Sequence, residues 1–253
     1  MKKLLPLLCL TLTLFGAEDY PEALQLPRGN YKFGEIEIVS DPAKIEEIQQ
    51  KYYERLRESG VPPDRANKWS KIGEIARDKY IMFVRDPVIF PSGATGLYDR
   101  LLSESKGGSA ILPIFSNGDF GLNVQFRHAT RSWELELPRG NAEPGESPLD
   151  TAKRELKEET GLESTNWTYL GTMNPDSGML QWSVPIFVAR NVEQKKAIQD
   201  ENEAIAGTVR LSKSDLNKAL KDGFLEREVN GQKRNINARD SFLTYALYLN
   251  SLN

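Results

Sequence analysis

The period of apolar and polar positions changes several times along the 253 residues. Lys2 and Lys3 lead into an uncharged, mainly apolar run from Leu4 to Phe15, which closes on Gly16-Ala17 before Glu18-Asp19. At roughly a dozen residues the run falls short of the ~20 that span a bilayer, and its layout fits a secretory signal peptide over 1–17. An uncleaved anchor is the competing expectation, because Phe15 fits poorly so close before a cut at Ala17. Residues 18–34, rich in Pro and Gly, predict irregular chain. Asp41-Pro42 supplies a capping residue and a first-turn proline for a helix over 41–57 that stops near Gly60. Val61–Asp64 reads as a turn. From Ile72 the period shortens to two, predicting strands at Tyr80–Phe83, Pro87–Phe90 and Gly96–Leu101 around the turn Pro91-Ser92-Gly93. A second pair, Ser109–Phe115 and Phe120–Phe126, flanks Asn117-Gly118. A helix over 147–160, strands near Tyr169–Met173 and Val184–Ala189, and helices at 213–221 and 239–251 complete a mixed α/β domain over 71–253. Residues 18–70 read as an extension with one helix, and Ser103–Ser109 as a surface loop.

Composition narrows the chemistry. The only cysteine, Cys9, lies in the apolar leader, so a cut after Ala17 leaves a chain without disulfides, thiolate chemistry or cysteine-built zinc sites. That cut also removes Lys2 and Lys3, leaving 31 basic against 36 acidic residues. No basic stripe suggests a nucleic-acid partner. A single histidine, His128, excludes multi-histidine metal sites and reads as a structural or rim residue.

The glutamates of 147–160 carry the strongest signal. Ser147 caps the helix, Pro148 opens it, Asp150 sits three residues after the cap, and Gly161 supplies a left-handed stop. At 100° per residue, Leu149, Ala152 and Leu156 form an apolar stripe. Glu155, Glu158 and Glu159 crowd the adjoining one, and Lys153 and Lys157 face solvent. Like charges at such spacings repel, and they lie in the last turn, where the helix dipole is already negative. Arg154 offsets only part of this. A set of hard oxygen donors in that position calls for Mg²⁺ or Mn²⁺ rather than zinc.

The run from Gly140 through Glu146 to Arg154-Glu155-Leu156-Lys157-Glu158-Glu159-Thr160-Gly161-Leu162 resembles the Nudix box at every specified position. The resemblance implies an α/β/α sandwich with a mixed sheet. It also implies a metal-dependent hydrolase that cuts the pyrophosphate of a nucleoside diphosphate linked to another moiety. Glu155 and Glu159 would be the principal metal ligands, and Glu158 a further ligand or outer group with a catalytic part. Gly140, Glu146, Arg154 and Gly161 would brace the loop and helix.

Val84-Arg-Asp-Pro-Val, Gln125-Phe-Arg127, Leu135-Glu136-Leu-Pro-Arg-Gly140 and Asp200-Glu201-Asn-Glu203 resemble landmarks of the ADP-ribose pyrophosphatase branch. That likeness implies that the Arg139 carbonyl and Glu203 also reach metal, and that Glu201 positions or deprotonates water. Arg127 would contact phosphate or the terminal ribose, and Glu136 would bind sugar hydroxyls or support the loop. Trp133 would stack on a base or pack in the core. The expected substrate is ADP-ribose, giving AMP and ribose 5-phosphate, or a related nucleotide sugar. The loop Asn174–Gln181 departs from the branch, with Met179 and Leu180 where many such enzymes carry a glutamate and Asp176 as its nearest acid. A nucleotide-binding sensor without catalysis is the alternative. Related proteins use the N-terminal segment to build a homodimer, and a cleaved leader would leave no membrane attachment.

Overall fold

The computed structural model describes residues 34–103, 107–195 and 204–252, so the leader over 1–17 and the segment 200–203 lie outside the described residues. The chain divides into two compact units between Leu102 and Ser103. The reason is strand pairing: the strands that follow Ile72 join a sheet begun before the first helix.

That first unit holds β1 (Glu37–Ile38), α1 (Pro42–Glu58), α2 (Pro63–Trp69), β2 (Gly73–Arg77), β3 (Ile81–Ile89) and β4 (Thr95–Ser103). Asp41 caps α1 by accepting from the Lys44 N–H, and Pro42 fills the first turn. Ile45 and Ile48 pack with Val39 and Ile72. The turn expected at Val61–Asp64 continues into helix α2, with Pro63 at its first position. The two strands expected at Tyr80–Phe83 and Pro87–Phe90 are one, β3, running through Pro87. Pro87 is tolerated because its side of the ladder faces only the two-residue β1, where its carbonyl accepts from Val39.

Adjacent residues of β3 and β4 form crossed ion pairs, Arg85 with Asp99 (2.6 Å) and Arg100 with the buried Asp86 (Nη2–Oδ1 3.0 Å). Burial pushes the Asp86 carboxyl up from its ordinary value, against the pull of Arg100. Asp86→Ala should therefore cost roughly 3–5 kcal/mol, the range for removing one partner of a buried ion pair. Denaturant melts would read this, and a loss under 1 kcal/mol would show that the Arg100–Asp86 pair adds little to stability.

The second unit opens with the hairpin β5 (Gly108–Ile114) and β6 (Phe120–Arg127), then β7 (Ser132–Glu136), β8 (Arg139–Asn141) and α3 (Pro148–Thr160). Next come β9 (Leu162–Glu163), β10 (Asn166–Met173), β11 (Leu180–Gln181), β12 (Val184–Arg190), β13 (Glu193–Gln194) and β14 (Ile205–Leu211). It closes with α4 (Lys213–Asp222), β15 (Phe224–Val229), β16 (Gln232–Asn237) and α5 (Ser241–Ser251). The main sheet runs β10-β12-β5-β6-β7-β16-β15, with β14 on β6 and β8 on β5. It is mixed: β5 and β12 are parallel, β5 and β6 antiparallel.

Both faces of the central strands are apolar, as a sheet covered on two sides requires. Ile111 and Phe187 pack with Ala152 and Leu156 of α3. Leu112 and Val188 pack with Leu216 of α4 and Leu243 and Ala246 of α5. The fold is thus an α/β/α sandwich. The expected surface loop is shorter than Ser103–Ser109, because Ser109 is buried in β5 and donates to the Pro148 carbonyl at the start of α3 (2.6 Å). The apolar pattern predicts none of β7, β8, β9, β11, β13, β14, β15 and β16. No helix among the described residues is long and apolar enough to cross a membrane.

Candidate metal and diphosphate site

Helix α3 forms where its caps place it. The Ser147 hydroxyl accepts from the Asp150 N–H (3.2 Å), and the Asp150 carboxylate accepts from that hydroxyl (2.6 Å) instead of the backbone. Gly161 ends the helix in the left-handed region. With Ala152 and Leu156 facing the sheet, the next stripe brings Glu155 and Glu159 to the sheet margin, where both are buried. Glu158 is only half-buried.

Opposite them lies a row of polar side chains on one face of β6 and β7. The register sets Asn123 against Glu136 and Gln125 against Glu134, while Val124 and Leu135 turn to the other face. All four polar residues are buried. Burying polar groups is costly unless they are satisfied, and this row is tied to α3. Asn123 Nδ2 donates to Glu159 Oε2 (2.8 Å), and the Arg139 N–H donates to the same oxygen (3.1 Å).

Arg139 stands opposite Ala110, and Ile111 N–H bonds the Pro138 carbonyl one step along. In an antiparallel ladder this alternation turns both peptide groups of Arg139 away from β5. Its carbonyl therefore lies on the side of its N–H, toward Glu159. Gly140 follows, and a Cβ there would fall inside the Glu155 carboxylate. The glycine is a cradle for that group.

Around this centre, Arg154 gathers the loop. It donates to Glu146 (2.8 and 3.0 Å), Glu155 (2.8 Å), Glu158 (2.9 Å) and the Asn141 carbonyl (2.8 Å). Glu146 also accepts from the Glu143 N–H and the Thr151 hydroxyl. The Arg154 guanidinium, then the Glu143 N–H, hold the Glu146 carboxyl down at about 2, against a usual 4.5. A depressed carboxylate contributes stability above its unfolded value and loses it as pH falls through the folded one. The melting-temperature gap between the parent and Glu146→Gln should stay constant down to about pH 4.5 and close toward pH 2. A gap that does not change over that range would show that the brace does not depend on charge. Turnover of Glu146→Gln should fall at least about tenfold, as for other groups that orient metal ligands.

Arg127 and Arg139 converge on Glu136, whose Oε2 accepts from Arg127 Nε (2.8 Å) and lies 3.1 Å from Arg139 Nη2. Burial alone would lower the Arg127 guanidinium, and Glu136, Glu159 and Asp240 together raise it above its ordinary value. One connected network thus brings together Glu159, Arg139, Glu136 and Arg127, with Glu155 beside it, held by Arg154 and set against Gly140. Glu158 is drawn aside to Arg154. His128 is exposed beside Arg131 (2.8 Å), and Trp133 packs edge-on to Phe126 against the core. Asp176 caps its own turn by accepting from Gly178 (2.8 Å). Glu201 and Glu203 lie outside the described residues.

Two members of the network were not anticipated, Asn123 and Asp240. Asn123 was signalled by the polar–apolar alternation Leu122-Asn123-Val124-Gln125 within an otherwise apolar strand. Asp240 gave only the signal of a helix cap.

Among the described residues, no group of three or more His, Cys, Asp or Glu side chains stands ready to hold a metal. The donors present still suit a hard divalent cation: two buried carboxylates, that of Glu155 against a glycine, with a main-chain carbonyl turned toward that of Glu159.

The Nudix domain model matches residues 108–228, a span that runs from β5 into β15. The chain is 35% identical over 127 residues to an ADP-ribose pyrophosphatase of Mycobacterium tuberculosis, covering 49% of this chain and 60% of that protein's length. It is 30% identical over 134 residues to an ADP-ribose pyrophosphatase of Bacillus subtilis, covering 52% and 71%. The crystal structure of an ADP compounds hydrolase shares the fold, with a TM-score of 0.57 at 23% identity, over 71% of this chain and 89% of that one. With the box helix, its glycine cradle and its arginine brace in place, the chain belongs to the Nudix family, on the branch that holds the ADP-ribose pyrophosphatases.

Proposed function

We propose that this protein is a Mg²⁺- or Mn²⁺-dependent pyrophosphohydrolase acting on ADP-ribose or a related nucleotide sugar, with AMP and ribose 5-phosphate as the products from ADP-ribose. The observation that carries the reading is the buried pair Glu155 and Glu159 on one helix face, with the Glu155 carboxylate set against Gly140. Two buried carboxylates so close to each other are unfavourable without a cation. Glu155, Glu159 and the Arg139 carbonyl would hold it, with Glu203 added from the segment 200–203. When bound, the cation neutralises diphosphate charge and acidifies water.

The chain's own residues do the rest. Asn123 and the Arg139 N–H keep Glu159 facing the site. Arg154 keeps Glu155 and Glu158 from drifting. Arg127, a third exposed, offers a planar cation to a phosphate while Glu136 holds it from behind. Glu136 is itself nearly fully buried between two guanidiniums, which favours the supporting role over sugar contact. Glu201 orients the attacking water.

Incubating the full chain with ADP-ribose, nucleotide sugars and dinucleoside polyphosphates, each with Mg²⁺ and with Mn²⁺, tests the reading. AMP release from ADP-linked compounds is expected, and a metal-binding protein that cleaves none of the panel would point to a nucleotide sensor instead.

A further inference from the structure

Strand β8 is only three residues long and pairs with β5 alone, so its ladder is a weak anchor for the peptide groups of Arg139. The Arg139 side chain supplies a second anchor from far along the chain. Its Nη1 donates to both oxygens of Asp240 (3.0 and 2.9 Å), its Nη2 meets Glu136, and its guanidinium stacks on the Phe242 ring, 4.5 Å from the centroid. Asp240 is 6% exposed and also caps α5, accepting from the Leu243 N–H (3.2 Å). Both Asp240 and Phe242 belong to the start of the C-terminal helix, and Phe242 is part of the main core.

We propose that Asp240 is a positioning residue for the metal site. By gripping the Arg139 guanidinium, it fixes the Arg139 N–H on Glu159 and the Arg139 carbonyl beside it, so that the start of α5 helps set the cation affinity of α3. The proposal rests on the metal-dependent reading above. Charge favours the arrangement: Asp240 and Glu136 lie against Arg139, and Glu136 also against Arg127, so that both guanidiniums are held beside the carboxylates of α3. Removing Asp240's charge would free Arg139 to compete for Glu136 and swing the loop.

An ordinary helix cap would give the same coordinates at Asp240, and one substitution separates the two roles. Asparagine caps a helix as well as aspartate does, so Asp240→Asn keeps the cap and loses the ionic grip. The full chain would be titrated with Mn²⁺ alone, following free Mn²⁺ by its paramagnetic resonance, and melted without metal. Asp240→Asn is expected to weaken Mn²⁺ binding tenfold or more, the range for groups that orient metal ligands, with little change in metal-free melting. Arg139→Ala should weaken it similarly, and the double variant should be no worse than Arg139→Ala, because both single changes break one contact. Unaltered Mn²⁺ affinity in Asp240→Asn, or losses that add in the double variant, would overturn the proposal while leaving the metal reading standing. A parent protein that binds no Mn²⁺ would sink the metal reading itself.

Discussion

Glu159→Gln is expected to lower pyrophosphate cleavage about a thousand-fold while the fold persists. A bound divalent ion contributes several kcal/mol of charge stabilisation to the transition state. At about 1.4 kcal/mol per tenfold, losing most of that is a factor near 10³. The side chain is 3% exposed and is held by two neutral donors, Asn123 Nδ2 and the Arg139 N–H. A glutamine oxygen can accept from both, so the geometry survives and only the charge is lost. Without metal, that loss removes repulsion from Glu155 together with attraction to Arg127, and the metal-free melting temperature should change little. Glu155→Gln should behave likewise in turnover. Falling activity with steady metal-free stability marks a ligand; turnover within a few-fold of the parent, measured with saturating Mg²⁺, would remove Glu159 from the site.

What could be read from the chain beforehand was whatever rests on local chemistry. Helices α1 and α3 were placed within a residue of their ends, because Asp41-Pro42 and Ser147-Pro148 cap through neighbours three positions away. The stripe that Glu155 and Glu159 share beside Ala152 and Leu156 follows from the helix angle, whereas their burial appears only in the fold. Strands β15 and β16 escaped notice because their polar residues alternate with nothing apolar enough to set a period, although Asn230-Gly231 between them is a strong turn signal. Strand β14 does alternate, with Val209 and Leu211 on one side and Thr208 and Arg210 on the other, but Gly207 and the irregularity after Ile205 interrupt the period.

The candidate site was legible in its box glutamates and illegible in the side chains that surround them. The box glutamates lie within one helix, and their spacing is its own evidence. Asn123 reaches Glu159 across 36 positions and Asp240 reaches Arg139 across 101, distances over which residue pattern carries no information without the fold. Arg127 and Glu136 could be named individually. That each holds the other appears only once β6 and β7 are aligned.

Gly140→Ala should cut turnover about a hundred-fold with little loss of stability, and this split follows from what its Cβ would meet. Gly140 does not occupy the left-handed region that only glycine adopts readily, so alanine brings no backbone strain. The added methyl would instead overlap the Glu155 carboxylate, the far end of a flexible side chain. Glu155 can yield by changing rotamer, at a cost on the order of 1 kcal/mol for modest overpacking. It cannot yield without leaving its place beside Glu159, and displacing a positioned group by about 1 Å is enough for a hundred-fold loss. The double variant Gly140→Ala with Glu155→Asp, whose shorter acid withdraws from the methyl, should recover part of the Mn²⁺ affinity lost in Gly140→Ala. Parent-like turnover in Gly140→Ala would mean that the Glu155 carboxylate works from a different position. A large drop in melting temperature would mean instead that the glycine serves the β5–β8 ladder, where it sits opposite Ser109, rather than the carboxylate.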